Sequence, residues 1–429
     1  MMFEESNIMK TKRLQSAILV ALTTLGAASR AEIVLDGTLG LKGALIGPNY
    51  LIKDTMGQQV GGNLFHSFES FTVNTGETAA FTGPDSVSNI ISRVTGNQAS
   101  FINGQLRSQI HNANMYFLNP NGILFGEQAR LDIQGSFHVS TADTLYLGKE
   151  GRFDASTPSN SFLTMAPPSR FGFLSNTPAE ITVQDSLLQV PEKKTLSIIG
   201  GNLQIENAAL YAPDGQVNLV SVASTGEVIP GISNTSKKWG TITLSQSPEI
   251  GFKKIGNMDI ANVDTTGVNG GHIFIQGGKF FSSRGYIASQ VAPGTQKNVG
   301  SITIEAPEIT LQDKSAIDTN TYGNGDSGNI TITATERLSM RDGSGISVAS
   351  APETSGHAGN IHLKVGQLTL QEDSFLNSGT LGSGTGGDIT ITANQGISLS
   401  GSRISSTVGN RSTSNSGNGG DIHITAPRL

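Results

Sequence analysis

Apolar and polar residues alternate with a period of two along most of this chain, in short bursts separated by glycine-rich stretches. From Trp239 onward one burst recurs as Gly-x-(Ile/Leu)-x-(Ile/Leu), opening at Gly240, Gly271, Gly300, Gly328, Gly359, Gly387 and Gly420, at intervals of 31, 29, 28, 31, 28 and 33 residues. Two further alternations follow within a period, as in Leu338 and Met340 then Ile346 and Val348, or Leu368 and Leu370 then Leu376. Each burst has the length and spacing of a half-buried strand. The pattern therefore predicts three strands per period. Ile330, Ile332, Leu338 and Met340 fall on one face, and Thr331, Thr333 and Ser339 on the other.

A lone three-strand period cannot bury its apolar face, whereas a second period laid on it at sheet spacing, about 4.8 Å, can. The prediction is an all-β fold, a right-handed parallel β-helix (solenoid) with three strands per coil, an N-terminal cap and extra-helical excursions. A β-sandwich also turns every few residues, but it has no reason to repeat whole periods. Asn329, Asn360, Asp388 and Asp421, each before the first Ile of its period, are expected to stack as polar ladders. The glycine-rich connectors vary in length and are expected to lie outside the stack. Before Trp239 the same vocabulary continues in Leu203, Ile205, Val217 and Leu219, so the solenoid is expected to run on without a linker. The proline-bearing segment Thr157 to Pro178 breaks the pattern and is expected to leave the coil axis.

Residues 1–31 read as an address and are set aside. Lys10, Lys12 and Arg13 form a positive region, Ala17 to Leu25 a short apolar run, and Ser29-Arg30-Ala31 or Gly26-Ala27-Ala28 a small-x-small cleavage site, as in a signal peptide that starts at Met1 or Met9. Removing them takes the formal charge from −6 to −8. A mildly acidic chain without a lysine or arginine run does not track a phosphate backbone, so no nucleic acid is expected. With no cysteine, neither disulfides nor thiolate metal sites hold the chain together. The sequence stops one strand into a coil, at Ala426 to Leu429, which suggests a truncated frame or a fragment.

The stretch most specific in its demands is Asn119-Pro120-Asn121-Gly122-Ile123, between the apolar runs Met115 to Leu118 and Ile123 to Phe125. Proline presets φ at the second turn position, asparagine tolerates the third, and glycine accepts a positive φ as the next strand begins. Together with Gly126, Ala129 to Phe137, Gly62 to Val73, Ile90 to Gly96 and Leu203 to Leu219, this turn resembles the N-terminal secretion domain of filamentous-haemagglutinin-type exoproteins of two-partner secretion. The resemblance covers roughly residues 32–228. It divides the chain into a signal peptide (1–31), a two-partner secretion domain (32–235) and β-helical repeats (236–429). It implies a secreted or cell-surface exoprotein that passes through the periplasm, and a dedicated outer-membrane β-barrel transporter as partner. It also implies a rod-like adhesin or haemagglutinin, with host, matrix or bacterial surfaces as targets and no transmembrane anchor. Asn119, Pro120, Asn121, Gly122 and Ile123 then have two readings: a turn whose side chains satisfy backbone groups between coils, or a recognition element for the transporter. The first is preferred.

No catalytic constellation, cofactor site or metal site is expected. Gly382-x-Gly384-x-x-Gly387 matches a dinucleotide fingerprint in letters but precedes a strand, so no helix N-terminus is at hand for a pyrophosphate. His272, His362 and His423 recur at outward strand positions, and Asn324-Gly-Asp326 offers too few carboxylates for calcium. The alternatives are a β-helical polysaccharide lyase or hydrolase, or the stalk of a contact-dependent toxin. For the enzyme, Asp313, Lys314 and Asp318, with Glu336, Arg337 and Asp342, are the comparable charged clusters, and they read as ordinary exposed strand ends. Trp239, Tyr286 and Tyr322 are candidate sugar platforms that read instead as covers for gaps.

Overall fold

The computed structural model describes residues 32–234, 238–293, 300–352, 354–409 and 417–428; the signal-peptide expectation for 1–31 lies outside them. The chain winds as a parallel β-helix with three strands per coil. The first face runs from Asn63–Phe71 through Asn89–Val94, Asn114–Leu118 and Phe137–Ser140 to Ile422–Thr425, every step paired in parallel with the next. Ser100–Ile102, Ile123–Phe125 and their successors form the second face. The third begins at Asn49–Lys53 and, after a break in hydrogen bonding between Arg130–Asp132 and Leu187–Gln189, continues to Arg403–Ser405. In the later coils the first two faces merge into single bent strands such as Asn329–Met340.

Alternation does what the pattern predicted. Ile330, Ile332, Leu338 and Met340 are wholly buried in one continuous core that also holds Leu64, Ile90, Met115 and Phe137 near the other end. An antiparallel cap closes that N-terminal end: Ile33–Asp36 pairs with Lys42–Ala44 and with Asn63–Phe71, whose start also pairs with Gln58–Val60. The polar ladder forms as expected, with a specific chemistry. Asn329 Oδ1 accepts the amide of Asn360, Asn360 Oδ1 that of Asp388, and Asp388 Oδ1 that of Asp421, each at 2.8 Å.

The structure corrects three sequence expectations. First, Gly240 is out of phase. Thr241–Ser245 lies on the second face, between Leu203–Glu206 and Lys279–Ser283, whereas the first-face strand below His272–Gln276 is Gln216–Ser221. The repeat glycines are explained by the same geometry. A Cβ on Gly271 would meet Gly215 O at 2.2 Å, on Gly328 Gly300 O at 1.4 Å, on Gly359 Gly328 O at 2.0 Å and on Gly387 Gly359 O at 2.0 Å. Gly215 thus opens the series, while a Cβ on Gly240 would meet the Ser221 hydroxyl instead.

Second, the glycine-rich connectors stack. Cβ atoms on Gly356 and Gly384 would sit 2.0 and 2.1 Å from the carbonyls of Gly325 and Gly356, and parallel bridges join Thr321, Ser350, Thr380 and Val408. Without side chains the connectors pack backbone on backbone, so they belong to the stack.

Third, the excursion is larger than Thr157 to Pro178. Thr144–Leu147, Gly151–Asp154, Pro168–Phe173 and Gly226–Val228 form an antiparallel sheet. It lays Leu145, Phe153, Phe171 and Val228 on the outward Phe65, Ile91, Ile199 and Val220 of the first face, a second core. A hairpin, Lys253–Ile255 with Met258–Ile260, similarly covers Tyr211 on the third face.

Candidate functional site

Asn119 to Gly122 turn the chain from the first face to the second. Pro120 fixes the entry, the Gly122 amide returns to Asn119 O at 3.2 Å, and Gly122 takes φ +114°, a conformation that side-chain-bearing residues rarely adopt. A Cβ there would meet nothing closer than 3.4 Å, so glycine is needed for its dihedral and not for space.

Asn119 is wholly buried. Its Nδ2 donates down the stack to Gln98 O at 3.0 Å and Ser100 Oγ at 2.9 Å. Its Oδ1 accepts the Asn121 amide at 3.0 Å, and its own amide donates up the stack to Ser140 O at 3.0 Å. Asn121 is exposed, yet its Nδ2 donates to Gly96 O at 2.7 Å. Ile123 is in register with Ser100 below and Ile181 above and buries its side chain in the main core. The five residues therefore bind three coils together, and of them only Asn121 is exposed, with Pro120 half-buried.

Arg93, inside the Ile90 to Gly96 stretch, is a second centre that the sequence pattern does not single out. It is 1% exposed. Its guanidinium donates to Ser67 Oγ at 2.7 Å, Asp154 O at 2.5 Å, Ser161 Oγ at 2.6 Å and Thr38 Oγ1 at 2.9 Å, and its Cζ lies 4.1 Å from the centre of the Phe153 ring. Burial lowers its pKa to about 10 despite the nearby Asp36 and Asp154. Burial also pushes the Asp36 carboxyl up, but hydrogen bonds from Ser67, Thr38 and Thr95 outweigh it and hold Asp36 below the usual carboxylate value. One side chain thus joins cap, helix and excursion. The available signal was an arginine in a strand apolar on both faces, flanked by Ile90, Ile91 and Val94.

An asparagine ladder makes the second tether. Asn114 Nδ2 donates to Asn89 Oδ1, Asn89 Nδ2 to Asn63 Oδ1, and Asn63 Nδ2 to the excursion carbonyls of Thr164 and Ala166.

The remaining candidates are placed by the coil. His272, His362 and His423 are exposed, on the first face. Asn324 and Asp326 accept amides of the next coil, from Ser355 and His357. Among the described residues no group of three or more His, Asp or Glu is placed to hold a metal ion. Asp313 with Lys314, and Asp342, take positive φ in a turn repeated from coil to coil, which Asp tolerates. Arg337 and Lys279 both pair with Glu308, at 2.9 and 3.2 Å.

Asp318 is not an exposed strand end: it is 8% exposed, under Tyr286, whose hydroxyl donates to it at 2.6 Å, and Gln290, at 2.8 Å. Burial raises its pKa to about 6 against those hydrogen bonds.

The family model described as the TPS secretion domain matches residues 31–275. Among solved structures, the HMW1 secretion domain from Haemophilus influenzae superimposes with a TM-score of 0.59 at 17% identity, over 90% of this chain and 94% of that one. That likeness shows the fold. A filamentous hemagglutinin secretion domain aligns over 80% of this chain and 91% of its own at 12% identity, with a TM-score of 0.29. No curated protein matches by sequence. The family match spans the cap, the Asn119 turn, the Arg93 centre and the excursion sheet, and this chain belongs to the TPS secretion-domain family of two-partner-secreted exoproteins.

Proposed function

We propose that the chain is an exoprotein carried across the outer membrane by a dedicated β-barrel transporter, and that it acts at the cell surface or beyond as a rod-like adhesin, without enzymatic activity. The observation that carries the first half is the family match over 31–275, laid on a capped β-helix. The second half is supported by shape and surface. Parallel coils stack along one axis, and the strands turn Thr, Ser, Asn and Asp outward.

In this reading Asn119, Pro120, Asn121, Gly122 and Ile123 act in export through folding. The side chains of Asn119 and Asn121 are committed to bonds between coils, that of Ile123 is in the main core, and of the five only Asn121 is fully exposed for a partner. Coils that form one on another at the far side of the membrane keep the chain from slipping back.

The test is co-expression with and without the partner transporter, followed by fractionation. Export into the medium only with the transporter supports the reading; transporter-independent release rejects it. Adhesion is tested with the exported protein on surfaces and cells, and depolymerisation of acidic polysaccharide by that protein would favour the lyase alternative.

A further inference from the structure

Where the first face bends into the second, a groove of about 380 Å³ opens beside Trp239, the one tryptophan of the chain. This lies within the range of about 300–1,000 Å³ usual for small-molecule sites. Its apolar side is the indole with Ala306, Pro307 and Gly277; its polar side is Gln276, Glu305, Thr333 and Thr335. We propose that this groove binds a neutral pyranose.

The wall is built and braced. Gln276, 5% exposed, donates from Nε2 to Glu305 Oε2 at 2.9 Å, and its Oε1 accepts the Asn234 amide at 3.0 Å. The Ser233 hydroxyl donates to the other Glu305 oxygen. The loop at 233–234 is thereby held against the first face, and the carboxylate is fixed beside the indole. Each Glu305 oxygen keeps a lone pair for a further donor.

The free valences match a sugar. Among the described residues no hydrogen bond engages the Trp239 indole N–H or the hydroxyls of Thr333 and Thr335, so a donor and two donor–acceptors line the groove beside an indole that is itself braced against the second core. A pyranose presents an apolar C–H face and a rim of hydroxyls, which is the complement of an indole beside a carboxylate, an amide and threonines. Among the described lining residues Glu305 carries the sole charge, which favours neutral sugars and repels uronates. Tyr286, by contrast, has its hydroxyl committed to Asp318 and Gln290.

The proposal deepens the adhesive half of the proposed function, and its test is independent of export. With one tryptophan, intrinsic fluorescence of the purified full-length chain reports the groove directly. The probes are the methyl α- and β-glycopyranosides of glucose, galactose and mannose, with methyl glucuronide as the anionic contrast. The expected result is a saturable shift of emission with at least one neutral glycoside, with Kd of order millimolar, and none with the glucuronide.

Thr335 is exposed and outside the core, so Thr335→Arg fills the groove while leaving the coil intact; it should weaken binding roughly tenfold or more. Glu305→Ala should do the same. No saturable shift with any neutral glycoside overturns the proposal, as does a shift unchanged in Thr335→Arg or equal binding of the glucuronide. Release into the medium without the transporter, with sugar binding intact, would count against the transporter reading alone.

Discussion

Asn119 shows how much one side chain can hold in a stack of coils. Replacing it by alanine strands the Ser100 hydroxyl and the Gln98 carbonyl, and frees the Asn121 amide. Asn119→Ala should cost about 2–3 kcal/mol in urea unfolding, and Asn121→Ala, on an exposed residue, about 1 kcal/mol or less. Equal effects would mean that burial is not what matters. Asp318 offers a test through pH. Its pKa rises from 3.8 to about 6 on folding, chiefly through burial, so the folded state holds its proton more tightly. Its contribution is complete below the unfolded value and is lost as pH climbs through about 6. Relative to wild type, Asp318→Asn should therefore gain about 2–3 kcal/mol between roughly pH 4 and pH 7. A difference that stays flat across that window would remove the buried-carboxyl account. His66 and His138 run the other way: burial lowers both to about 4, so their contribution is present above the unfolded value of 6.5 and is lost as pH falls through about 4.

At the level of elements, the repeat glycines and the excursion sheet make separable predictions. Gly359→Ala would put a Cβ 2.0 Å from a backbone carbonyl of the coil below, and the coil cannot yield without breaking its ladder. A loss of about 3 kcal/mol or more is expected. Gly251→Ala, with nothing within 4 Å and no positive φ, should stay within about 0.5 kcal/mol of wild type. The excursion sheet depends on Arg93. Arg93→Leu removes four hydrogen bonds and the charge beside Asp36, and should cost about 3 kcal/mol or more. Limited proteolysis distinguishes this from a general loss of stability, because cleavage between residues 155 and 167 should accelerate before the coils themselves open. Uniform protection would show that the sheet is held by its apolar face alone.

The molecule as a whole is a stack in which each coil is finished by the next, and export is the prediction that belongs to this scale. Asn119→Ala combined with Asn121→Ala should abolish transporter-dependent export, and secretion at wild-type level would refute both roles given to the turn. The order of coils was legible from the sequence because it rests on local chemistry. A strand that alternates Ile with Thr must bury one face, and a short period with no partner inside itself must find one in its neighbour. The residues at Asn119 to Ile123 were legible for the same reason, since proline, asparagine and glycine limit dihedrals within a few residues of themselves. Phase and cover were decided by tertiary structure. Gly240 and Gly215 open equally good strands, and the choice between faces was made by which backbone lay beneath each. Phe65 and Ile91 point outward from the helix, and Arg93 is buried, because a sheet drawn from residues 144–173 and 226–228 folds back on them. Alternation specifies which side chains share a face; what covers that face depends on contacts between residues far apart in the chain, which a local pattern does not encode.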